Sequence, residues 1–436
     1  MYIYIILLSI CTLTASAANE TRFTVWGALK NFFNATHNKL VPEDARLNIT
    51  QLAEKYAYPF EEHSVTTADG YILHLHRING MVRSEKAKPI VFLMHGLMES
   101  SDCWMLLGPG KGLAYVLSDS GFDVWMGNAR GNKHAFDHIA LNNSMPEYWN
   151  FGFEEIAILD LPAMIDYILQ LTGQDSLYYI GHSQGTAVGY ILCSMKREYN
   201  YKIKIMISLA PAVWMGNIRS PVIKYISSYY NVLEYMLRDW NPFSSGLELF
   251  KKVSTFICSV LTGGCGNILY ALSGYETKID NSFLSVILGH APTGCSSLQL
   301  LHYGQLVRSQ RFSRYSYGEE ENLIKYGNST APDYDLSVVS APVMIFYSSK
   351  DWLSDPKDVD TLKKHLPYVY DYIHLDDFTH IDYIYAVEAA YKIYIRIIST
   401  MYKLEKDHRN KPQPPNLHET FLQKDLYTTY IFYLIK

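Results

Sequence analysis

The pentapeptide Gly181-His182-Ser183-Gln184-Gly185 sets a serine hydroxyl between two glycines. It follows the apolar run Leu177 to Ile180, and after it Val188, Ile191 or Leu192, and Met195 recur at helical spacing. A G-x-S-x-G on a sharp strand-to-helix turn holds its serine in a strained conformation with Oγ exposed, and the glycines let strand and helix approach without a Cβ clash. Such a hydroxyl is a poor nucleophile at neutral pH. It needs a general base, itself oriented by a carboxylate, and the chemistry this allows is acyl transfer.

On a turn of this kind the partners follow in the order serine, acid, histidine. Asp351, just beyond the apolar run Pro342 to Tyr347, is the first choice for the acid; Asp355 competes, and only nearness to the strand separates them. His380 stands on the loop after the run Tyr370 to Leu375, whereas His374 falls within that run and His365 in an earlier helix. The oxyanion formed on attack needs backbone N–H donors. Gln184, at the start of the helix, supplies one, and Leu97 in His95-Gly96-Leu97-Met98 is the candidate for the other. Two other patterns carry less. Gly108-Pro109-Gly110-Lys111-Gly112 lacks the spacing of a phosphate loop, and His134 and His138 lack the glutamate of a zinc-protease helix. No metal, redox group or other cofactor is implied.

These residues need a scaffold of buried strands. His63 to Thr67 and Tyr71 to His76 flank Ala68-Asp69-Gly70, the pattern of a β-hairpin. Pro89 to Met94 is continuously apolar, as a strand covered on both faces must be. Strand-like and helix-like segments then alternate through Leu113 to Ser118, Phe122 to Met126, a helix near Glu154 to Leu171 that Pro162 should kink or break, Leu177 to Ile180 and Lys202 to Leu209. That rhythm predicts an α/β fold with a mostly parallel central sheet. It lapses between about Ala212 and Asp333, a Tyr-, Phe- and Ile-rich stretch that reads as an inserted helical cap. Within it, Val222 to Trp240 and Leu247 to Leu272 are either two buried helices packed on each other or a lipid-facing lid. The rhythm resumes at Pro342, and a helix near Ile384 to Met401 closes the fold. The expected organisation is a signal peptide 1–17, an N-terminal segment 18–50, core 51–211, cap 212–333, core 334–402 and a Pro-containing tail 403–436.

Composition bounds the partners. The 436 residues are 48% hydrophobic and 19% charged, with a formal charge of -5 and no basic run, which excludes nucleic acid. Met1 to Thr14 is nearly all apolar and Ala15-Ser16-Ala17 supplies small residues for cleavage, so the start reads as a secretory signal; an uncleaved anchor is the alternative, on a run shorter than the roughly 20 residues a span needs. Five N-x-S/T sequons, at Asn19, Asn34, Asn48, Asn142 and Asn328, offer glycan acceptors and support export, to the extracellular space or to lysosomes. Cys258 and Cys265 are close enough to form a disulfide in that compartment; five buried thiols outside the leader is the other reading.

His95-Gly96-Leu97, Gly127-Asn128-Ala129-Arg130-Gly131-Asn132, the serine pentapeptide, Asp351-Trp352-Leu353 and His380-Ile381-Asp382 together resemble the acid lipase family that includes gastric and lysosomal acid lipases, the insect members most closely. Tyr58-Pro59, Asp69-Gly70-Tyr71 and Tyr148-Trp149-Asn150-Phe151 extend the match to about Leu52 through Tyr402. The resemblance implies an α/β-hydrolase core, cofactor-independent hydrolysis of triacylglycerols or sterol esters at a lipid–water interface, a cap that moves for substrate entry, and Ser183, Asp351 and His380 as the triad. Where the family usually reads Asn-Ser-Arg-Gly, this chain has Asn128-Ala129-Arg130-Gly131, and the family's cap cysteines are spaced more widely than Cys258 and Cys265. Three functions fit: a lipase, a carboxylesterase of soluble esters, and a catalytically silent lipid-binding protein. The presence of nucleophile, acid, base and oxyanion loop disfavours the last.

Overall fold

A computed structural model describes residues 41–80, 87–237, 255 and 273–410. Two compact units are distinguished, Met1–Arg396, which holds the sheet, and Ile397–Lys436, whose described part is helical through Asn410.

Among the described residues, nine strands form one sheet: β1 (Phe60–Thr66), β2 (Tyr71–Asn79), β3 (Ile90–Met94), β4 (Asp123–Met126), β5 (Asp137–His138), β6 (Leu177–His182), β7 (Ile203–Leu209), β8 (Val343–Ser348) and β9 (Val369–Leu375). Their order is β1-β2-β4-β3-β6-β7-β8-β9, with β5 beside β2. The expected hairpin is β1–β2, antiparallel with Thr66 opposite Ile72, and Gly70 takes the positive φ, +98°, that its turn demands. From β4 to β9 along the sheet all pairs are parallel, as the alternation of elements requires. All five residues of β3 are buried because helices cover both faces of a parallel sheet. Parallel pairing also brings the carboxyl ends of β3, β6, β8 and β9 to one edge, where ligands of open α/β sheets bind.

The helix expected near Glu154 is broken in an informative way. Phe153–Glu155 is α-helical, Ile156–Asp160 is a π-turn, and Leu161–Thr172 (α3, after α1, Ile49–Lys55, and α2, Leu113–Asp119) resumes the α-helix. Pro162 has no N–H to give to the preceding turn, so the break falls just before it. The π-turn delivers Asp160 to the buried Arg130, whose Nε donates to Asp160 at 2.7 Å and whose terminal nitrogens donate to Asp69 at 2.6 and 3.0 Å. With its guanidinium 4.0 Å from the Tyr71 ring centroid, Arg130 joins the hairpin turn, the loop after β4 and the broken helix. The motif around Arg130 is therefore structural.

After the nucleophile turn runs α4 (Gln184–Met195). Between β7 and β8 the described residues hold five helices of eight residues or more: α5 (Pro221–Ser228), α6 (Tyr230–Leu237), α7 (Asn281–His290), α8 (Ser297–Ser309) and α9 (Glu319–Tyr326). The segment expected as Val222 to Trp240 is thus divided at Tyr229, and its described part is not buried: α5 buries nothing, α6 only Tyr230, and Tyr225 and Tyr235 are 67% and 85% exposed. Leu247 to Leu272 lies outside the described residues except for Thr255, as do the leader, Asn34, Cys258 and Cys265, and the chain beyond Asn410. Cys103, Cys193 and Cys295 are buried thiols. α10 (Pro356–His365) separates β8 from β9, and α11 (Ile395–Asn410) continues past Met401, the end expected from the sequence.

Candidate active site

Ser183 stands between β6 and α4 at φ 53° and ψ −118°, a left-handed conformation that a non-glycine residue adopts only when its surroundings force it. The glycines make this possible. A Cβ at Gly185 would lie 2.1 Å from the Met94 carbonyl oxygen, and one at Gly181 would lie 2.6 Å from the Gly185 backbone. Strand β3 and helix α4 therefore touch through backbone alone, which sets the serine beside the loop that leaves β3.

His380 Nε2 lies 2.8 Å from Ser183 Oγ, and His380 Nδ1 lies 3.0 and 3.1 Å from the two carboxylate oxygens of Asp351. Asp351 is fully buried, and its Oδ1 also accepts the Leu353 and Ser354 N–H groups, both at 2.8 Å. Those two amides fix the orientation of the carboxylate. With Nδ1–H directed at the carboxylate, Nε2 is left as the acceptor facing the serine. Asp355, the competing carboxylate, is engaged elsewhere, capping α10 through the Lys357 N–H and pairing with Arg219 at 2.8 Å. His374 bonds Ser349 at the sheet end and His365 bonds Thr361 within α10, so neither approaches the serine hydroxyl by hydrogen bond.

The loop after β3 is built around His95. Its Nδ1–H donates to the Gly96 carbonyl at 2.8 Å, while Nε2 accepts from the Ala129 N–H and the Asn132 amide, both at 3.1 Å. Burial holds this imidazole below the usual histidine range, so it stays neutral and can accept. Met98 turns the chain at φ 60°. Among the described residues, no carbonyl or side chain takes up the Leu97 or the Gln184 backbone N–H. The Gln184 side chain is anchored instead to Gln299 of α8 at 2.8 Å. A base-activated hydroxyl beside two free amides can attack an ester carbonyl and stabilise the oxyanion it creates.

Sequence reasoning missed the strap Ser273 to Lys278. The Ser273 carbonyl accepts the Trp352 N–H at 3.3 Å and the His380 N–H at 3.2 Å, so one oxygen ties the acid loop to the base loop. Asp382 accepts the Lys278 N–H at 3.0 Å and the Thr379 N–H at 2.6 Å, which holds the strap against the same loop. Backbone carbonyls leave no signature in a sequence. His134 and His138, the discounted pair, belong to separate networks, with Asp102 at 2.7 Å and with the Asp69 carbonyl at 2.9 Å.

Comparison with known proteins accords with this geometry. The model of the α/β-hydrolase fold matches residues 89–387, and that of a partial α/β-hydrolase lipase region matches residues 49–108. Lipase 1 of Drosophila melanogaster is 36% identical over 84% of this chain and 82% of its own length. Gastric triacylglycerol lipase of Homo sapiens is 35% identical over 82% of this chain and 91% of its own length. The solved structure of lip1 from Acinetobacter baumannii shares the fold at TM-score 0.50, with 15% identity, covering 83% of this chain and 98% of that one. The chain belongs to the α/β-hydrolase family and, within it, to the ester-hydrolysing lipases of which gastric lipase is a member.

Proposed function

We propose that this lipase hydrolyses the carboxylic ester bonds of neutral lipids, triacylglycerols or sterol esters, with Ser183 as nucleophile, His380 as general base and acid, and Asp351 as its orienting carboxylate. The continuous hydrogen-bonded chain from Ser183 Oγ through His380 to Asp351 is the observation that carries the reading. His380 Nε2 takes the hydroxyl proton as Oγ bonds to the ester carbonyl carbon. The oxyanion is held by the Leu97 and Gln184 N–H groups, and its collapse expels the alcohol, which receives the proton from His380. Water, activated by the same imidazole, then attacks the acyl-enzyme, and breakage of the acyl–Oγ bond frees the fatty acid and restores Ser183.

A lipid substrate, rather than a soluble ester, is supported by the human gastric relative, named for triacylglycerol, and by the apolar side chains that α5 and α6 expose: Tyr225 at 67%, Val232 at 56% and Tyr235 at 85%. These helices belong to the proposed cap, 212–333. Export fits the apolar leader 1–17 and the sequons. Asn48, Asn142 and Asn328 are exposed, and each accepts a backbone N–H on Oδ1, at 2.9, 2.9 and 3.0 Å, which leaves Nδ2 available to a glycan. Asn34, Cys258 and Cys265 remain proposals from sequence alone. No helix among the described residues is long and apolar enough to cross a membrane.

The test compares hydrolysis of an emulsified long-chain triacylglycerol with that of a short soluble ester, with Ser183→Ala as the blank. Preference for the emulsion, abolished by Ser183→Ala in a folded protein, is the expected result. Activity confined to the soluble ester would make the protein a carboxylesterase, and hydrolysis surviving in Ser183→Ala would overturn the triad.

A further inference from the structure

Glu99 occupies an unusual position for a carboxylate. It sits two residues beyond Leu97 in the oxyanion loop, with its side chain only 11% exposed. Its Oε2 accepts the Gly96 N–H at 2.9 Å and lies 3.4 Å from His182 Nδ1, while its Oε1 accepts the Tyr385 hydroxyl at 3.0 Å. His182 precedes the nucleophile, and its Nε2 donates to the carbonyl of His380 at 2.9 Å. The His182 and His380 rings lie 5.2 Å apart. One carboxylate therefore touches the oxyanion loop and the short helix after the base directly, and reaches the backbone of the base through His182.

The chemistry of the contacts says what the carboxylate does. A carbonyl can only accept, so His182 Nε2 carries a proton and donates it to His380, which turns the Nδ1 edge of the ring toward Glu99. Burial pushes the Glu99 carboxyl up, but the hydrogen bond and charge of His182, with the Gly96 N–H, outweigh it and leave it lowered, at about 2. The other ionisable groups that feel its charge are His95, Cys103 and Tyr385. A charge this enclosed is costly unless each oxygen is engaged, and both are.

We propose that Glu99 is a positioning residue for the hydrolysis: through Gly96 it sets the angle of the Leu97 amide, and through His182 it fixes the backbone of His380. This rests on the reading of Ser183, His380 and Asp351 as the reacting groups. It requires that Glu99 act on the rate of chemistry and not on substrate binding, because its contacts are to the oxyanion loop, to His182 and to Tyr385.

The experiment measures kcat and KM of the full chain and of Glu99→Gln and Glu99→Ala on a short soluble ester, beside thermal unfolding. Expected is a kcat lowered about tenfold in Glu99→Gln and about hundredfold in Glu99→Ala, with KM held within about twofold, since small misplacements of catalytic groups cost rate on this scale. An unchanged kcat in a folded Glu99→Ala would overturn the proposal, and so would a loss expressed wholly in KM. Should Glu99→Ala not fold, the isosteric Glu99→Gln decides alone: native-like unfolding with wild-type kcat overturns it. A dead Ser183→Ala beside a fully active Glu99→Ala would refute Glu99 and spare the triad; an active Ser183→Ala would refute the triad itself.

Discussion

Replacing Gly185 with alanine adds one methyl group at the point where strand β3 and helix α4 meet. That methyl would sit 2.1 Å from the Met94 oxygen, 2.8 Å from the Met94 carbonyl carbon and 2.9 Å from the His95 oxygen. Comfortable separation of non-bonded heavy atoms begins at about 3.5 Å, so the two segments must part by roughly 1 Å or more. All three obstacles are backbone, and no side-chain rotamer can relieve them. Overpacking of this kind costs about 1–3 kcal/mol, and the better helix propensity of alanine returns about 1 kcal/mol of it. Net destabilisation should therefore be modest, about 0–2 kcal/mol in urea unfolding. Activity should suffer more, because the same displacement carries Ser183 away from Leu97 and His380, and a misplacement near 1 Å lowers rate about a hundredfold. The assay pairs urea denaturation with kcat/KM on a soluble ester. A Gly185→Ala variant with native stability and native turnover would refute the claim that this contact sets the nucleophile.

The two neighbouring aspartates should separate cleanly. Asp351→Asn is expected to lower kcat by about 10⁴, because the imidazole loses the partner that fixes its tautomer, whereas Asp355→Asn keeps a good helix cap and should stay within about twofold of wild type. Equal losses would contradict the assignment. His302 gives a pH dependence. Stacked 3.9 Å from Phe153 and donating to the Ser313 carbonyl, it is lowered by burial to about 3. Between an unfolded value of 6.5 and that native value the unfolded chain takes up a proton that the native one refuses, so stability present above pH 6.5 is lost as pH falls, with a slope of about 1 kcal/mol per unit. Urea midpoints across that window should show a shallower decline in His302→Gln; an identical decline would remove His302 as a source.

Much of this was legible because parallel sheets write themselves plainly. Apolar runs such as Ile90–Met94 occur where both faces are covered, and the loops that follow them must carry the chemistry. That logic singles out Ser183, Asp351 and His380, which the structure brings within hydrogen-bonding distance. What stayed hidden depends on contacts that have no local pattern. Glu99 looks like an ordinary loop acid until β6 brings His182 beside it, and the Ser273 carbonyl acts through an atom that every residue possesses. The π-turn was visible only as Pro162, which marks a fault in a helix without saying what fills it. The exposed faces of α5 and α6 were undecidable because an aromatic stripe has the same periodicity whether it meets protein, lipid or water.

The pairing of β7 with β8, Leu209 beside Phe346, spans the whole helical insertion. Closing so long a loop adds little equilibrium cost, since each doubling costs only about 0.6 kcal/mol, but it makes that pairing a late event in folding. The nucleophile and oxyanion loop lie on strands that can assemble first, while the acid and base arrive with β8 and β9. A chain emerging from the ribosome would then hold its serine in place without the groups that activate it. A hydrolase built in this order remains inert toward esters until its last two strands are seated, and losing either strand should abolish activity while sparing the earlier half of the sheet.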